Sequence, residues 1–136
     1  MECTVHKLIA DVAVFAERHV LLVRYRDTGR YEGQEGWFLP DDFLEHLEHP
    51  GDASRRILDE QVGASAAGPT LSHIESFGNG TWHITFHFRL DLSERPALRP
   101  SANVRDADWF ALDALPDASD VAHQGWALET LAEMTG

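Results

Sequence analysis

The stretch LPDDFLEHLEHPGDASRRILDEQVGA, residues 39–64, decides the fold of this chain. Its second half predicts an α-helix over about residues 50–62, because Pro50 suits the first turn of a helix, where a missing N–H is not needed. Asp52 lies near the positive end of the helix dipole, and Gly63 is placed to end the helix in a left-handed conformation. The segment therefore predicts a polar loop, a helix and a sharp stop.

Strand patterns lie on both sides of this helix. Residues 12–15 and 19–25 predict two strands joined by a tight polar turn, and residues 37–39 predict a short strand that Pro40 ends. Residues 81–90 alternate between apolar and polar side chains. This alternation predicts a strand with one buried face and one polar face that is positioned to line a cleft.

Two further elements complete the chain. Residues 107–111 predict a short strand, and Ser119 is placed to cap a last helix over about residues 120–134. Because strands and helices follow one another in this order, we expect an α/β (α+β) fold in which a mixed sheet packs against helices. At 136 residues the whole chain, residues 1–136, fits a single domain.

The composition limits the partners of this chain. Its formal net charge of −12 repels a phosphate backbone, so we expect no nucleic-acid partner. A few arginines can still reverse the field inside one cleft and admit a small anion. No apolar run approaches the ~20 residues of a membrane span, no signal peptide is evident, and the single Cys3 fits a reducing compartment. We therefore expect a cytoplasmic protein without a membrane partner.

The loop and helix resemble the signature of the Nudix hydrolases. That signature is Gly, five residues, Glu, seven residues, Arg-Glu, an aliphatic residue, any residue, Glu-Glu, any residue and Gly. Aligned without a gap, its first Gly falls on Asp42, its first Glu on Glu48, its Arg on Arg56 and its last Gly on Gly63. The segments VAVFAERHVLLVRYR, HITFHFRL and ANVRDADWFALDALPD also resemble family strands, so the likeness covers roughly residues 11–131.

The resemblance implies both a fold and a chemistry. The fold is a Nudix-type α/β/α sandwich with a central mixed sheet. Nudix enzymes cleave a nucleoside diphosphate linked to another group, with Mg²⁺ or Mn²⁺ held by carboxylates on one face of the box helix. In the family the first box Glu and the box Arg pair and fix the loop against the helix. The resemblance assigns this structural role to Glu48 and Arg56, with Gly63 as the helix stop.

Two of the three carboxylates of the box helix are missing. Positions 57, 60 and 61 share one helix face, because they are spaced i, i+3 and i+4. Ile57 and Gln61 stand where the signature has acids, and only Glu60 remains. Leu47, at a position where the family favours Gly, adds a bulky apolar group beside the site.

Two interpretations of this gap stay open. In the first, the ordinary metal chemistry is lost and no cofactor is needed. In the second, the site is rebuilt and holds Mg²⁺ or Mn²⁺. Glu60 is then a ligand, and Glu48 is a second ligand, or a catalytic base if Arg56 releases it, with Asp41 and Asp42 in support.

Candidate substrate-binding residues lie outside the box. Arg24 and Arg26 share a face of the second strand, where they are suited to receive a phosphate or carboxylate, or to form a salt bridge at the rim. Trp37 and Tyr31 are suited to stack on a base or sugar, although Trp37 also suits a core position. His83 is placed either to touch a ligand or to face solvent.

Other histidines raise the question of a transition-metal site. His46 and His49 lie beside Glu45 and Glu48, and such a cluster suits a transition metal. The alternative is an exposed loop in which His49 caps the helix. His83 and His87 lie four residues apart on one strand, or ~13 Å, so these two cannot share a metal.

The resemblance leads to two functional hypotheses. The chain is a Nudix-family protein, similar to pyrophosphohydrolases of nucleoside-diphosphate-linked substrates, with weak, altered or absent activity. Alternatively, it is a non-catalytic Nudix-fold module that binds a nucleotide-like small molecule or a protein partner. In both cases the expected partner is a phosphorylated small molecule, and the family likeness suggests a homodimer.

Overall fold

The structure is a computed structural model that describes residues 6–31, 33–64 and 68–135. Within these residues a six-stranded sheet has the strand order β4-β5-β1-β2-β6, and β3 pairs with β1. The β1–β5 pair is parallel, whereas the other pairs are antiparallel. The elements are β1 (His6–Ala16), β2 (His19–Tyr25), β3 (Asp41–Phe43), α1 (Pro50–Val62), β4 (Thr70–Asn79), β5 (Thr81–Leu92), β6 (Val104–Ala111) and α2 (Ala122–Thr135).

The sheet packs between the two helices. Along β1, successive side chains point to opposite faces, so that Ala10 and Val12 join the core beneath α1, and Ala13 and Phe15 join the core beneath α2. The expected α/β/α sandwich with a mixed sheet is therefore confirmed. Asp11, between the two α1-facing residues, lies on the α2 side with a side chain only 1% exposed.

The hairpin β1–β2 has the predicted tight turn. Glu17 and Arg18 adopt positive φ angles of 51° and 61°, which is typical of a type I′ turn between twisted strands. β1 begins earlier than residue 12, because its first half pairs with β5 and β3.

Helix α1 begins and ends as predicted. The backbone N–H of Gly51 donates to His49 Nδ1 at 2.9 Å, so His49 caps the helix, as one of the two interpretations of this histidine proposed. Gly63 follows the helix with φ 68° and donates its N–H to the Asp59 carbonyl. Leu58 and Val62 are buried in the core beneath α1.

The segment after the first loop differs from its prediction. Residues 37–39 do not form a continuous strand; Phe38 bridges to Val23 and Trp37 bridges to Val121. The strand lies beyond Pro40 instead, as β3. Pro40 does not end the pairing, because its carbonyl accepts a hydrogen bond from Val12 of β1 at 3.0 Å.

Strand β4 is absent from the predictions. Its large apolar residues Leu71, Ile74 and Phe77 are spaced by three, which matches no strand period. A bulge between Leu71 and His73 puts Leu71 and Ile74 on one face, and Phe77 lies on the other face.

The prediction for β5 is confirmed in part for burial. Phe88 and Leu90 of the apolar face are buried in the core, but Trp82 on that face is exposed, and the polar face carries the buried Thr85 and His87.

The C-terminal helix starts later than predicted. A 3₁₀ turn covers Ala118–Asp120, and α2 follows from Ala122. Ser119 lies inside this turn, so the predicted cap is wrong. Leu131 lies in the core beneath α2, with Leu128 and Met134 packed against that core, as their spacing indicated. Among the described helices, none is long and apolar enough to span a membrane.

Candidate functional site

The box loop is fastened to α1 by Arg56. Its guanidinium donates to both carboxylate oxygens of Glu48, at 2.8 and 3.0 Å. It also donates to Asp42 at 3.2 Å, to the Phe43 carbonyl at 2.9 Å and to Glu60 at 3.4 Å. The expected Glu48–Arg56 pair is present, and Arg56 contacts three of the four candidate metal ligands.

The charges in this network stabilise one another. Hydrogen bonding to Arg56 holds the pKa of Glu48 below its usual range, because the ionised carboxylate is the better acceptor. The same bonds, those to Glu48 first, raise the pKa of Arg56. Side chains of Arg56, Glu48 and Asp42 are each largely enclosed, whereas Glu60 is exposed. The network thus forms a partly buried ion cluster that already contains its own cation.

Ile57 and Gln61 fill the places of the missing acids. Ile57 is 1% exposed and packs in the core beneath α1. Gln61 is 8% exposed, donates its amide N–H to the Asp41 carbonyl at 2.8 Å, and accepts from the Tyr25 hydroxyl at 2.8 Å. Apolar packing and neutral hydrogen bonds therefore replace charge at both positions.

A cleft of about 690 Å³ opens beside the second strand. Three of the four candidate substrate-binding residues, Arg24, Arg26 and Trp37, line it together with Arg105. The Arg24 guanidinium lies 4.4 Å from the centre of the Trp37 ring, a cation–π contact. The structure thus brings arginines and an aromatic ring to one concave surface.

The arginines of this cleft differ in their ion pairs. Arg24 forms the salt bridge that was its alternative role, 2.9 Å from Asp106, and Arg105 contacts the same carboxylate at 2.9 Å. Hydrogen bonding to Arg105, helped by Arg24, lowers the pKa of Asp106. Arg26 is exposed and has no ion pair within residues 6–31, 33–64 and 68–135. Tyr31 was the second stacking candidate, but its side chain lies outside the described part of the chain.

His83 lies apart from that cleft, on β5. Its ring stacks on Phe77 with centroids 5.0 Å apart and an angle of 3° between planes. The two residues are paired across β4 and β5. The structure therefore does not group His83 with the arginines.

A second cluster, which sequence reasoning missed, lies between the sheet and α2. His87 is fully buried and donates its Nδ1–H to the Asp11 carboxylate at 2.8 Å. Its Nε2 lies 2.7 Å from Glu75, and its ring stacks on His73 with centroids 4.5 Å apart. Among the described residues, His73, Glu75 and His87 form a group whose donor atoms could hold a metal ion.

The acids around His87 raise its pKa. Burial on its own lowers the pKa of His87, but the hydrogen bonds and negative charges of Asp11 and Glu75 outweigh burial and leave the pKa above its usual value. The sequence signal for this cluster was His73-x-Glu75, an alternation that places both side chains on one strand face. It was missed because the large apolar residues of β4 do not alternate, so no strand was predicted there.

Comparisons with known proteins agree on the fold. The family model of the NUDIX domain matches residues 5–130. A MutT NUDIX hydrolase from Burkholderia pseudomallei superposes with a TM-score of 0.77 at 20% identity, covering 94% of this chain and 97% of that one. The NUDIX domain of Shewanella oneidensis NrtR, complexed with ADP ribose, gives 0.76 at 18% identity, covering 98% and 87%.

A more distant group of solved structures shares the same architecture. A Caenorhabditis elegans Ap4A hydrolase, solved as a binary complex, has a TM-score of 0.68 at 15% identity and covers 93% of this chain and 95% of its own. No curated protein sequence matches the chain. At these identities the solved structures establish the fold alone.

Proposed function

Since this chain belongs to the Nudix family, we propose that it is a Nudix-fold module that binds a nucleotide-like, phosphorylated small molecule. We further propose that its box helix gives weak or no Mg²⁺- or Mn²⁺-dependent hydrolysis. The observation that carries this proposal is the environment of Ile57 and Gln61. The Ile57 side chain packs in the core, and the Gln61 side chain forms two hydrogen bonds.

The donor set at the box helix does not fit the family's metal. Mg²⁺ requires oxygen ligands in a near-octahedral arrangement. At position 61 an N–H group, not a carboxylate, points at the Asp41 carbonyl oxygen. At position 57 there is no donor atom. We therefore assign no reaction step to a metal at this place.

The remaining box carboxylates already share the positive charge of Arg56. Glu48 and Asp42 accept hydrogen bonds from the Arg56 guanidinium, and Glu60 approaches the same group. A divalent cation among them would have to displace a bidentate Arg–Glu pair, which is among the stronger interactions in proteins. This argues for a structural role of Glu48 and against its use as a base.

The cleft beside β2 supports the binding half of the proposal. Arg26 forms no ion pair with the described residues, and Arg24 and Arg105 share one carboxylate, that of Asp106; Glu35 and Asp120 also line the cleft. Arginines suit phosphate through bidentate hydrogen bonds, and Trp37 offers a ring to a base or ribose. ADP ribose is bound by the NUDIX domain of Shewanella oneidensis NrtR, so it is the first ligand to test.

Binding is tested by calorimetry and thermal shift with ADP ribose and ADP. Arg26→Gln should weaken binding about 10- to 100-fold, because a charge-assisted hydrogen bond contributes ~1.5–3 kcal/mol. Arg95→Gln, which removes an arginine paired with Glu17 elsewhere on the surface, is the matched control and should change nothing. If neither nucleotide raises Tm at millimolar concentration, the binding proposal is wrong.

Catalysis is tested separately, by product formation from ADP ribose with Mg²⁺ and with Mn²⁺. We expect little or no turnover and no metal-dependent rise in Tm. Metal-dependent turnover that disappears in Glu60→Gln would overturn the proposal and favour a rebuilt box site.

A further inference from the structure

The histidine cluster on the α2 side of the sheet is built around His87. Its Nε2 and one oxygen of Glu75 lie 2.7 Å apart, and the donor atoms of His73, Glu75 and His87 all lie within 4.8 Å of one another. Ligand atoms of a tetrahedral zinc ion stand roughly 3.4 Å apart, given metal–ligand distances of about 2.0–2.2 Å. A metal ion between these three groups therefore requires the 2.7 Å pair to separate and the donor atoms that lie farther apart to approach one another.

We propose that His73, Glu75 and His87 bind a divalent transition-metal ion, and that zinc is the ion whose ligand chemistry matches best. Two imidazoles and one carboxylate form a set used by zinc sites that keep a fourth position open. Imidazole nitrogen is a good ligand for zinc and its neighbours, whereas Mg²⁺ selects oxygen. The site does not depend on the proposed function of the cleft.

Asp11 supplies the supporting contact that a histidine ligand needs. A metal-binding histidine usually donates its other ring N–H to a carboxylate, which fixes the tautomer and the ring orientation. Asp11 accepts from His87 Nδ1 at 2.8 and 2.9 Å, and both side chains are buried. This leaves Nε2, 2.7 Å from Glu75, as the nitrogen that would coordinate the metal once it has released to solvent the proton it shares with that carboxylate.

A β-bulge in β4 sets the position of the proposed ligands. The register of β4 against β5 shifts between Leu71 and His73, so that Ser72 is the extra residue and His73 lies directly opposite His87. Bulges of this kind redirect side chains near functional sites. Glu75, two residues further along β4, shares the same face.

One side of the histidine cluster is covered by α2, and another side is open to solvent. Trp126 of α2 packs 5.5 Å from the His87 ring and limits water on that side. His73 and Glu75 keep partly exposed side chains, so an ion can enter from solvent. Glu133 lies 3.1 Å from His73 Nε2 and adds negative charge at the entrance.

The cluster is separate from the box. Val12 and Ala10 of β1 pack beneath α1, whereas Asp11 between them reaches His87 on the α2 side. A metal in the cluster would therefore lie on the opposite face of the sheet from Arg56 and Glu60.

The test uses the untagged full chain after treatment with a chelator. Calorimetry with Zn²⁺ should give one ion per chain, and Co²⁺ should produce the visible absorption of a tetrahedral site. His73→Ala and Glu75→Gln should each weaken Zn²⁺ binding by about 100-fold or more, and Asp11→Asn by about 10- to 100-fold. His73 and Glu75, the residues replaced in the first two variants, are partly exposed. Circular dichroism and thermal melting check that each variant folds.

His46→Ala is the matched control, because His46 lies on the exposed box loop beside Glu45. It should leave Zn²⁺ binding unchanged. The proposal is overturned if Zn²⁺ does not bind at 100-fold excess over protein, if folded His73→Ala and Glu75→Gln bind it as well as the parent chain, or if His46→Ala alone abolishes binding. None of these outcomes depends on nucleotide binding, so the cleft and the cluster are judged separately.

Discussion

The Gln61→Glu variant tests whether the Gln61 hydrogen bonds stabilise the box helix, because it exchanges only the amide NH2 group of the side chain for a carboxylate oxygen. The amide N–H that donates to the Asp41 carbonyl at 2.8 Å becomes a carboxylate oxygen. The other oxygen of the new carboxylate keeps the hydrogen bond that the Tyr25 hydroxyl donates. Shape is preserved, so the experiment isolates the donor and the charge.

The expected cost follows from these contacts. Loss of the donor removes the shorter of two hydrogen bonds to the part-buried Asp41 carbonyl, at ~1–3 kcal/mol. The new contact between carboxylate and carbonyl oxygens is repulsive, whereas the Tyr25 bond becomes charge-assisted and offsets part of the loss. We expect Gln61→Glu to lower the unfolding free energy by about 2–4 kcal/mol at pH 7, or Tm by roughly 4 °C per kcal/mol for a domain of this size.

The pH dependence has a definite sign. Burial and the facing carbonyl favour the neutral acid, so the introduced carboxyl has a pKa above that in the unfolded chain, which is about 4.3. The penalty is therefore small below about pH 4, grows as pH rises through the unfolded value, and is complete above the folded one. A cation between the new carboxylate and the Asp41 carbonyl would also relieve it.

The assay is urea unfolding of the parent chain, Gln61→Glu and Gln61→Met at pH 4 and pH 7, with and without Mg²⁺. The Met variant loses both hydrogen bonds without adding charge, so its cost should not change with pH or metal. The reasoning is refuted if Gln61→Glu at pH 7 lies within about 0.5 kcal/mol of the parent, the ordinary range of surface substitutions.

Three further variants test the surroundings. Glu48→Gln should cost about 1.5–3 kcal/mol at pH 7. Because Arg56 lowers the pKa of Glu48, this cost should shrink as pH falls through that lowered pKa, which urea unfolding at pH 7 and pH 3 measures. Leu47 has φ 64° and is 90% exposed, so Leu47→Gly should raise stability by about 1 kcal/mol in calorimetry. Ile57→Glu should cost about 3 kcal/mol or more in urea unfolding without metal, because it buries an unpaired carboxylate.

Local signals explain what the sequence could predict. Helix α1 was predicted with its ends, because Pro50, the histidine cap and Gly63 act within one or two residues of the helix. The β1–β2 turn was likewise predicted from adjacent residues. The Glu48–Arg56 contact came from family resemblance, and residues eight apart across a loop would not otherwise have indicated it.

Long-range register explains what could not be predicted. His73, His87 and Asp11 meet only because β4, β5 and β1 are neighbours in the sheet, with a parallel pair between distant segments. The spacing of His83 and His87 argued against a metal shared along one strand, but it carried no information about a histidine on the neighbouring strand. A one-residue bulge at Ser72 puts Leu71 and Ile74 on one face at a spacing of three, and Phe77 lies on the other face, so no apolar alternation indicated β4.

The two substitutions in the box helix have a common physical effect. Three acids on one helix face repel one another unless a cation is present, so a chain that carries them is stabilised by its metal. Burying Ile57 instead contributes ~1.5–3 kcal/mol of hydrophobic stabilisation without any ion. At position 61, where the signature has an acid, Gln61 forms neutral hydrogen bonds. Arg56 supplies a positive charge that Glu48, Asp42 and Glu60 share. The box loop therefore keeps its shape through its own side chains, and the part of the motif that shapes the backbone is separable from the part that binds metal.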